Sequence, residues 1–253
     1  MQTSNLNVKP THIVKWVGKK FTSVPLFVAI PDTGLISLLT AVNIVNQSKM
    51  PVTSYIESQW LPAVISIIEG EPLPPVRLYS DDKIAILLSE VPIYAEYWAY
   101  FSKLVIDVCN EINPVTVIGA TGLPNQKRHS LEKLRLFVSY TDKSFKERYL
   151  KDISNFSGLL AGPYAVILRY LMMEGISAIL LLVDSFPNYP DPEAAAIVSE
   201  VIGKLVGVSY DVSLLLEKAS QIKIMARKLA AETQKVQAEL TSSTGRPSVG
   251  FYV

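Results

Sequence analysis

The sequence predicts an α/β domain built on a mostly parallel sheet with helices on both faces. Three observations carry this prediction. Short apolar runs rich in β-branched residues recur along the chain, longer helical patterns fill the gaps between them, and the overall apolarity is high. Hydrophobic residues make up 49% of the 253 positions, which points to strands covered on both faces or to an oligomer interface.

The strand-like runs are Val24 to Ile30, Ile84 to Leu88, Val115 to Ile118, Leu134 to Tyr140 and Ile176 to Val183. Thr33-Gly34 opens a helix expected to reach about Gln47, and Ile93 to Glu111 carries a second. Ser157 is read as the cap of a helix running to Met173, with Gly175 just beyond. Asp191-Pro192 gives an acidic N-cap followed by proline at the first helical position, and Gly207 marks the matching end. Five prolines punctuate 51–75, where proline fixes φ and removes a donor, so this stretch is expected as a surface excursion.

From position 212 the pattern changes. Leu215, Ala219, Ile222, Ala226, Leu229, Thr233, Val236 and Leu240 alternate steps of four and three, the spacing of one helical stripe. A helix from Ser213 to Leu240 would be ~40 Å long. Such a stripe faces either its own domain or a second copy, and its length and terminal position favour at least partial self-association through Leu215, Ile222, Leu229 and Val236. Residues 241–250 are small and polar, a tether of up to ~33 Å if extended. The expected organisation is therefore an α/β domain over 1–211, a heptad-patterned helix over 212–240, and a tether with a terminal tail over 241–253.

Charge is balanced, with 24 Lys+Arg against 23 Asp+Glu, so nothing in it argues for nucleic acid or an anionic membrane as partner. The apolar stretch Leu159 to Val183 is broken by Gly162-Pro163, Arg169 and Glu174 before ~20 apolar residues accumulate, so no membrane span is expected. The N-terminus lacks the apolar core of a signal peptide, and the single cysteine, Cys109, suits a reducing compartment; the cytoplasm is the expected location.

Catalytic motifs are scarce. The phosphate-loop, dinucleotide, zinc-protease and nucleophile-elbow patterns do not occur. His12 and His129 read as solvated surface, and Cys109, among Val105, Ile106, Val108 and Ile112, as a buried and inert thiol. Gly119-Ala120-Thr121-Gly122-Leu123-Pro124 could let backbone amides approach an anion, with Asp32-Thr33-Gly34 a weaker candidate; a plain strand-to-loop turn is the competing reading. Asp184 reads as a strand end and Asp191 as a cap. No catalytic residue, metal or cofactor is assigned.

The ordered blocks Leu88-Ser89-Glu90-Val91-Pro92, Val117 to Gly122, Gly158-Leu159-Leu160-Ala161-Gly162 and Tyr189 to Ala196, with Gly207-Val208-Ser209-Tyr210-Asp211-Val212, resemble the proteasome assembly chaperone family of archaea and eukaryotes. The resemblance spans about Pro25 to Ile222. It implies a three-layer α/β/α domain like that of nucleoside phosphorylases without their catalytic residues, frequent homo-oligomers, and an assembly or docking role. Relatives tend to carry more glycine at the turn that here reads Ile30 to Leu35.

Phe251-Tyr252-Val253 then acquires meaning, because it resembles the hydrophobic-tyrosine-any tail by which proteasome activators enter pockets between α-subunits of the core particle. Phe251 suits an apolar pocket, the Tyr252 hydroxyl a polar partner, and the terminal carboxylate a lysine. The implied function is a proteasome assembly chaperone or binding factor docking on the α-ring. The competing classes are a nucleoside-phosphorylase-like or ligase-like enzyme, which needs a convergent polar site, and a self-assembling scaffold, which needs only the heptad helix.

Overall fold

The computed structural model describes residues 12–222. A nine-stranded sheet forms the centre, with strands β1 (His12–Trp16), β2 (Leu26–Ala29), β3 (Val52–Ser58), β6 (Val76–Ser80), β7 (Ala85–Ser89), β8 (Val117–Pro124), β9 (Leu136–Tyr140), β10 (Ser154–Asn155) and β11 (Ala178–Ser185) in the order β1-β3-β6-β7-β2-β8-β11-β9-β10. The four middle strands, β7, β2, β8 and β11, are mutually parallel. The flank β1-β3-β6-β7 is antiparallel throughout, and β9 runs against β11, so the sheet is mixed around a parallel centre. A separate hairpin, β4 (Ser66–Ile68) and β5 (Glu71–Leu73), projects between β3 and β6.

Helices cover both faces. α1 (Ile36–Ser48) and α5 (Pro192–Val206) share one core with Phe27, Ala29, Ile86, Ile118, Leu181 and Val183, and the short α3 (Lys143–Tyr149) packs there through Phe145. α2 (Trp98–Ile112) and α4 (Pro163–Met173) share the other with Leu26, Val28, Leu87, Leu180 and Leu182. Successive residues of β2 thus bury to opposite sides, and both destinations are dry because helices lie above and below. Each fully buried Phe or Leu contributes roughly 1.5–3 kcal/mol.

Capping explains most boundaries. The Asp191 carboxylate accepts from the Ala194 amide, Pro192 occupies the first turn, and Gly207 closes α5 at φ 72°. α4 begins later than its sequence suggests: Gly162 sits at φ 105°, so 157–161 remains outside the helix, and Pro163 supplies its first position. The excursion expected over 51–75 is narrower, because Val52–Ser58 is a strand of the main sheet. Its polar Thr53 and Ser54 are buried by hydrogen bonds to Leu78, Ser80 and Lys15, a pairing partner that local pattern cannot reveal. Pro72 sits in the exposed hairpin rather than the main sheet.

Residues 213–222 form a helix. Asn43 and Gln47 donate to the Asp211 carbonyl just before it, while Leu39 and Val42 share a groove with Leu214, Leu215 and Lys218. The helix therefore lies beside α1. Leu215 and Ala219 are buried, Leu215 within the α1–α5 core of its own chain, and Ile222 is half-buried. Leu229 and Val236, like the tail Phe251-Tyr252-Val253, lie outside the described residues.

Candidate functional site

Strand direction gathers the chemistry-bearing residues at one edge of the sheet. β7, β2, β8 and β11 all end there, and α1, α2, α4 and α5 all begin there, which is where open α/β sheets bind ligands. Asp32 follows β2, Thr121 and Asn125 come from the end of β8, Asp184 and Ser185 end β11, and Asp191 caps α5.

These groups are occupied with one another. Asp32 Oδ2 accepts from Thr121 Oγ1 at 2.5 Å. Asp184, 1% exposed, accepts from the Arg135 backbone amide at 2.9 Å and from its guanidinium at 2.9 and 2.8 Å. That guanidinium holds the Asp184 carboxyl below the ordinary aspartate range despite its burial. Arg128, also 1% exposed, grips Asp191 through Nε at 2.7 Å and Nη2 at 2.8 Å, and Nη2 reaches Glu193 at 2.8 Å. Burial opposes the Arg128 charge, but bonding to Asp191 and Glu193 outweighs it and raises its pKa. Its guanidinium also lies 4.8 Å from the Phe186 ring centre.

The backbone closes the remaining space. Gly119 to Pro124 is not a loop but part of β8, so its amides belong to a strand rather than to an anion cradle, correcting the phosphate-loop reading. A Cβ on Gly122 would fall 2.7 Å from Ser185 Cβ, and one on Gly34 2.1 Å from Ser185 Oγ. The glycines permit close packing of strand ends and first turn. Tyr164 Oη donates to the Val28 carbonyl at 3.0 Å and accepts from the Ile30 amide at 3.3 Å, and burial pushes its phenol upward. Among the described residues no group of His, Cys, Asp and Glu could hold a metal ion.

Other sequence candidates are dispersed. His12 is half-buried rather than solvated, with Nε2 2.8 Å from Asp107 on α2. His129 is also half-buried. Cys109 is buried, and desolvation pushes its thiol up to about 12. No helix among the described residues is long and apolar enough to cross a membrane.

Two buried arginines escaped the sequence reading. Arg128 pairs with a carboxylate 63 positions away, which no local signal announces. Arg77, 1% exposed, forms a bidentate pair with Glu90 at 3.0 and 2.6 Å and donates to Tyr79 Oη at 2.6 Å and the Pro74 carbonyl at 2.8 Å. An arginine inside the apolar run Val76 to Tyr79 was the available signal, since such a charge is buried only with a partner. Glu90 in turn accepts from Ser66 at the base of the β4–β5 hairpin.

A mixed sheet with a parallel centre, two helical layers and a carboxyl edge crossed by ion pairs defines a three-layer α/β/α protein. Residues 26–230 match the PAC2 family, and the chain belongs to that family. It is 23% identical over 216 residues to an uncharacterized protein of Methanocaldococcus jannaschii, covering 83% of this chain and 87% of the relative. Among solved structures it is similar to Pyrococcus furiosus PbaA, described as an archaeal homolog of proteasome-assembly chaperone, at TM-score 0.74 and 21% identity, over 91% of this chain and 97% of the other. It is also similar to P. furiosus PbaB, described as an archaeal proteasome activator, at TM-score 0.72 and 17% identity, over 87% and 98%.

Proposed function

We propose that this protein is a proteasome assembly chaperone or proteasome-binding factor of the cytoplasm, docking on the α-ring of the core particle through Phe251, Tyr252 and Val253. Membership of the PAC2 family carries the reading. The likeness to PbaA and PbaB supports it, as does a carboxyl edge whose ionisable groups neutralise one another instead of converging on a substrate. The tail supplies the recognition chemistry: an apolar ring, a phenol and a free carboxylate.

A single short tail binds weakly because ordering it opposes association, so several tails presented by a homo-oligomer would raise effective concentration at the ring. Self-association is proposed to run through Ile222, Leu229 and Val236, with Leu215 anchoring helix 213–222 to its own domain. The reading is tested by pull-down of α-subunits with the intact chain and with Tyr252→Ala. Capture by the parent and loss with Tyr252→Ala is the expected outcome; equal capture rules out the tail as the docking element.

A further inference from the structure

The connection between β3 and β6 carries a run of aliphatic side chains open to solvent. Val64, Ile65, Ile67 and Ile68 are between 44% and 69% exposed, and apolar side chains concentrated in this way mark an interaction surface. Strand alternation puts Ile67 and Ile68 on opposite faces of β4, so the ribbon is apolar on both sides, the form of an element that enters a cleft. Residues 58–75 contain Glu69 and Glu71, both exposed, and no lysine or arginine.

The β4–β5 hairpin is held in place from its base. Glu69 and Gly70 turn at φ 51° and 88°, a two-residue connection. The Ser66 hydroxyl donates to Glu90, which the buried Arg77 grips through two bonds, and Arg77 also donates to the Pro74 carbonyl at the hairpin's exit. A two-stranded ribbon is marginal by itself, so this anchoring orders it before a partner arrives and lowers the entropic cost of binding. Pro72 withholds a donor from β5, which disfavours strand addition there and leaves contact to the side chains.

A groove of about 320 Å³ has the complementary character. Pro25 and Val115 line it from the chain just before β2 and β8, Phe145, Arg148 and Tyr149 from α3, and Leu205 from the end of α5. Val115 and Tyr149 are 49% and 51% exposed, so its walls offer apolar surface to solvent. Arg148 is the charged residue in its lining, and it pairs with no carboxylate among the described residues. α3 as a whole bears Lys143, Lys146 and Arg148 against Glu147 alone.

Strand direction sets hairpin and groove apart. β3 and β6 are antiparallel, β6 and β7 are antiparallel, and β7 is parallel to β2, so β3 ends and β6 begins at the carboxyl edge, where the hairpin emerges. The groove opens at the amino edge, where β2 and β8 begin. One chain cannot seat its own hairpin in its own groove, but a second copy can: isoleucines meet apolar walls, and Glu69 and Glu71 meet Arg148. We infer that the β4–β5 hairpin of one copy of this chain docks in the amino-edge groove of another. Two different surfaces meet, so the contact is heterologous, and its repetition closes a ring or runs on as a filament. Insertion of Ile67 and Ile68 supplies the affinity, while the charges at the rim select orientation and partner. The contact is independent of the function proposed above and of the C-terminal helix.

The test treats full chains carrying Ile67→Cys or Val115→Cys with a short bis-maleimide, with melting temperature measured for each. Both positions are exposed, so folding should be unaffected, and Cys109 is buried. Mixed together, the two variants are expected to give a cross-linked dimer of unlike chains, and a chain bearing both cysteines a ladder of multimers, while each variant alone cross-links no more than the parent. Adding Arg148→Glu to the Val115→Cys chain should lower the mixed yield about tenfold or more, because like charges then face each other. Absence of the mixed dimer overturns the inference. Equal cross-linking by Ile67→Cys alone also overturns it, by making the hairpin meet its own like, and an undiminished yield with Arg148→Glu overturns the charge match that selects the groove.

Discussion

Replacing Arg128 by alanine should cause one of the largest losses of stability available to a single substitution in this domain. The change removes three charge-assisted hydrogen bonds of 2.7 to 2.8 Å and leaves Asp191, 1% exposed, without a counter-charge. Breaking one side of a buried pair costs about 3–5 kcal/mol. Asp191 keeps the amides of Ala194 and Phe186, both at 3.2 Å, so the lower part of that range, about 3–4 kcal/mol, applies. For a domain of this size that corresponds to a melting temperature lowered by roughly 6–16 °C. Urea unfolding of the parent, Arg128→Ala, Asp191→Ala and the double variant measures it. The double variant should lose about 2 kcal/mol less than the sum of the singles, because removing both charges leaves none stranded. A loss below about 1 kcal/mol for Arg128→Ala, or strict additivity, would refute the view that this pair locks the carboxyl edge.

Three further outcomes are expected. Burial disfavours the Glu90 charge, but hydrogen bonds from Arg77 and then Ser66 outweigh it and hold its pKa below the ordinary glutamate value of 4.5. A folded-state pKa below the unfolded one gives stability that is full above the unfolded value and lost as pH falls through the folded one. Glu90→Gln should thus destabilise at pH 7 by about 1–3 kcal/mol, with the difference from the parent shrinking on acidification below 4.5; a gap independent of pH would contradict it. Gly122→Ala should cost about 1–3 kcal/mol by overpacking against Ser185, with Ser185→Gly restoring part of it, and a neutral Gly122→Ala would show that the strand ends are looser than described. Cys109, with its thiol pushed up to about 12, should react with a thiol reagent at neutral pH only as fast as the domain opens, and prompt labelling of the folded chain would disprove its burial.

The parallel centre of the fold was legible because burial on both faces demands continuous apolar runs, and β2, β7 and β11 are such runs. α5 was legible from both ends because Asp191, Pro192 and Gly207 are local signals of capping. The misses share a cause. β3 and β6 carry buried Thr53, Ser54, Arg77 and Ser80, whose partners lie on neighbouring strands or, for Arg77, on Glu90 just after β7, so polarity there looks like surface until the pairing is known. In β8, Gly119 and Gly122 look like a turn but serve close approach, with Tyr164 and Leu180 about 3.0 Å from a Cβ at Gly119. At the edge, Asp184 and Asp191 could be placed from sequence, but not that arginines neutralise both. That fact separates a closed edge from an open active site. The apolar outside of the edge was hidden as well, because Val64 to Ile68 differs from a core strand only in having no layer to cover it.

The measurement that bears most directly on the proposed function is the affinity of the intact chain for the proteasome core particle, compared with that of a chain lacking Phe251, Tyr252 and Val253. Binding by the intact chain and its weakening by at least tenfold on removal of the three residues, with the melting temperature unchanged, is the expected result. Equal affinity of the two forms, or no binding by either, would contradict docking through the tail.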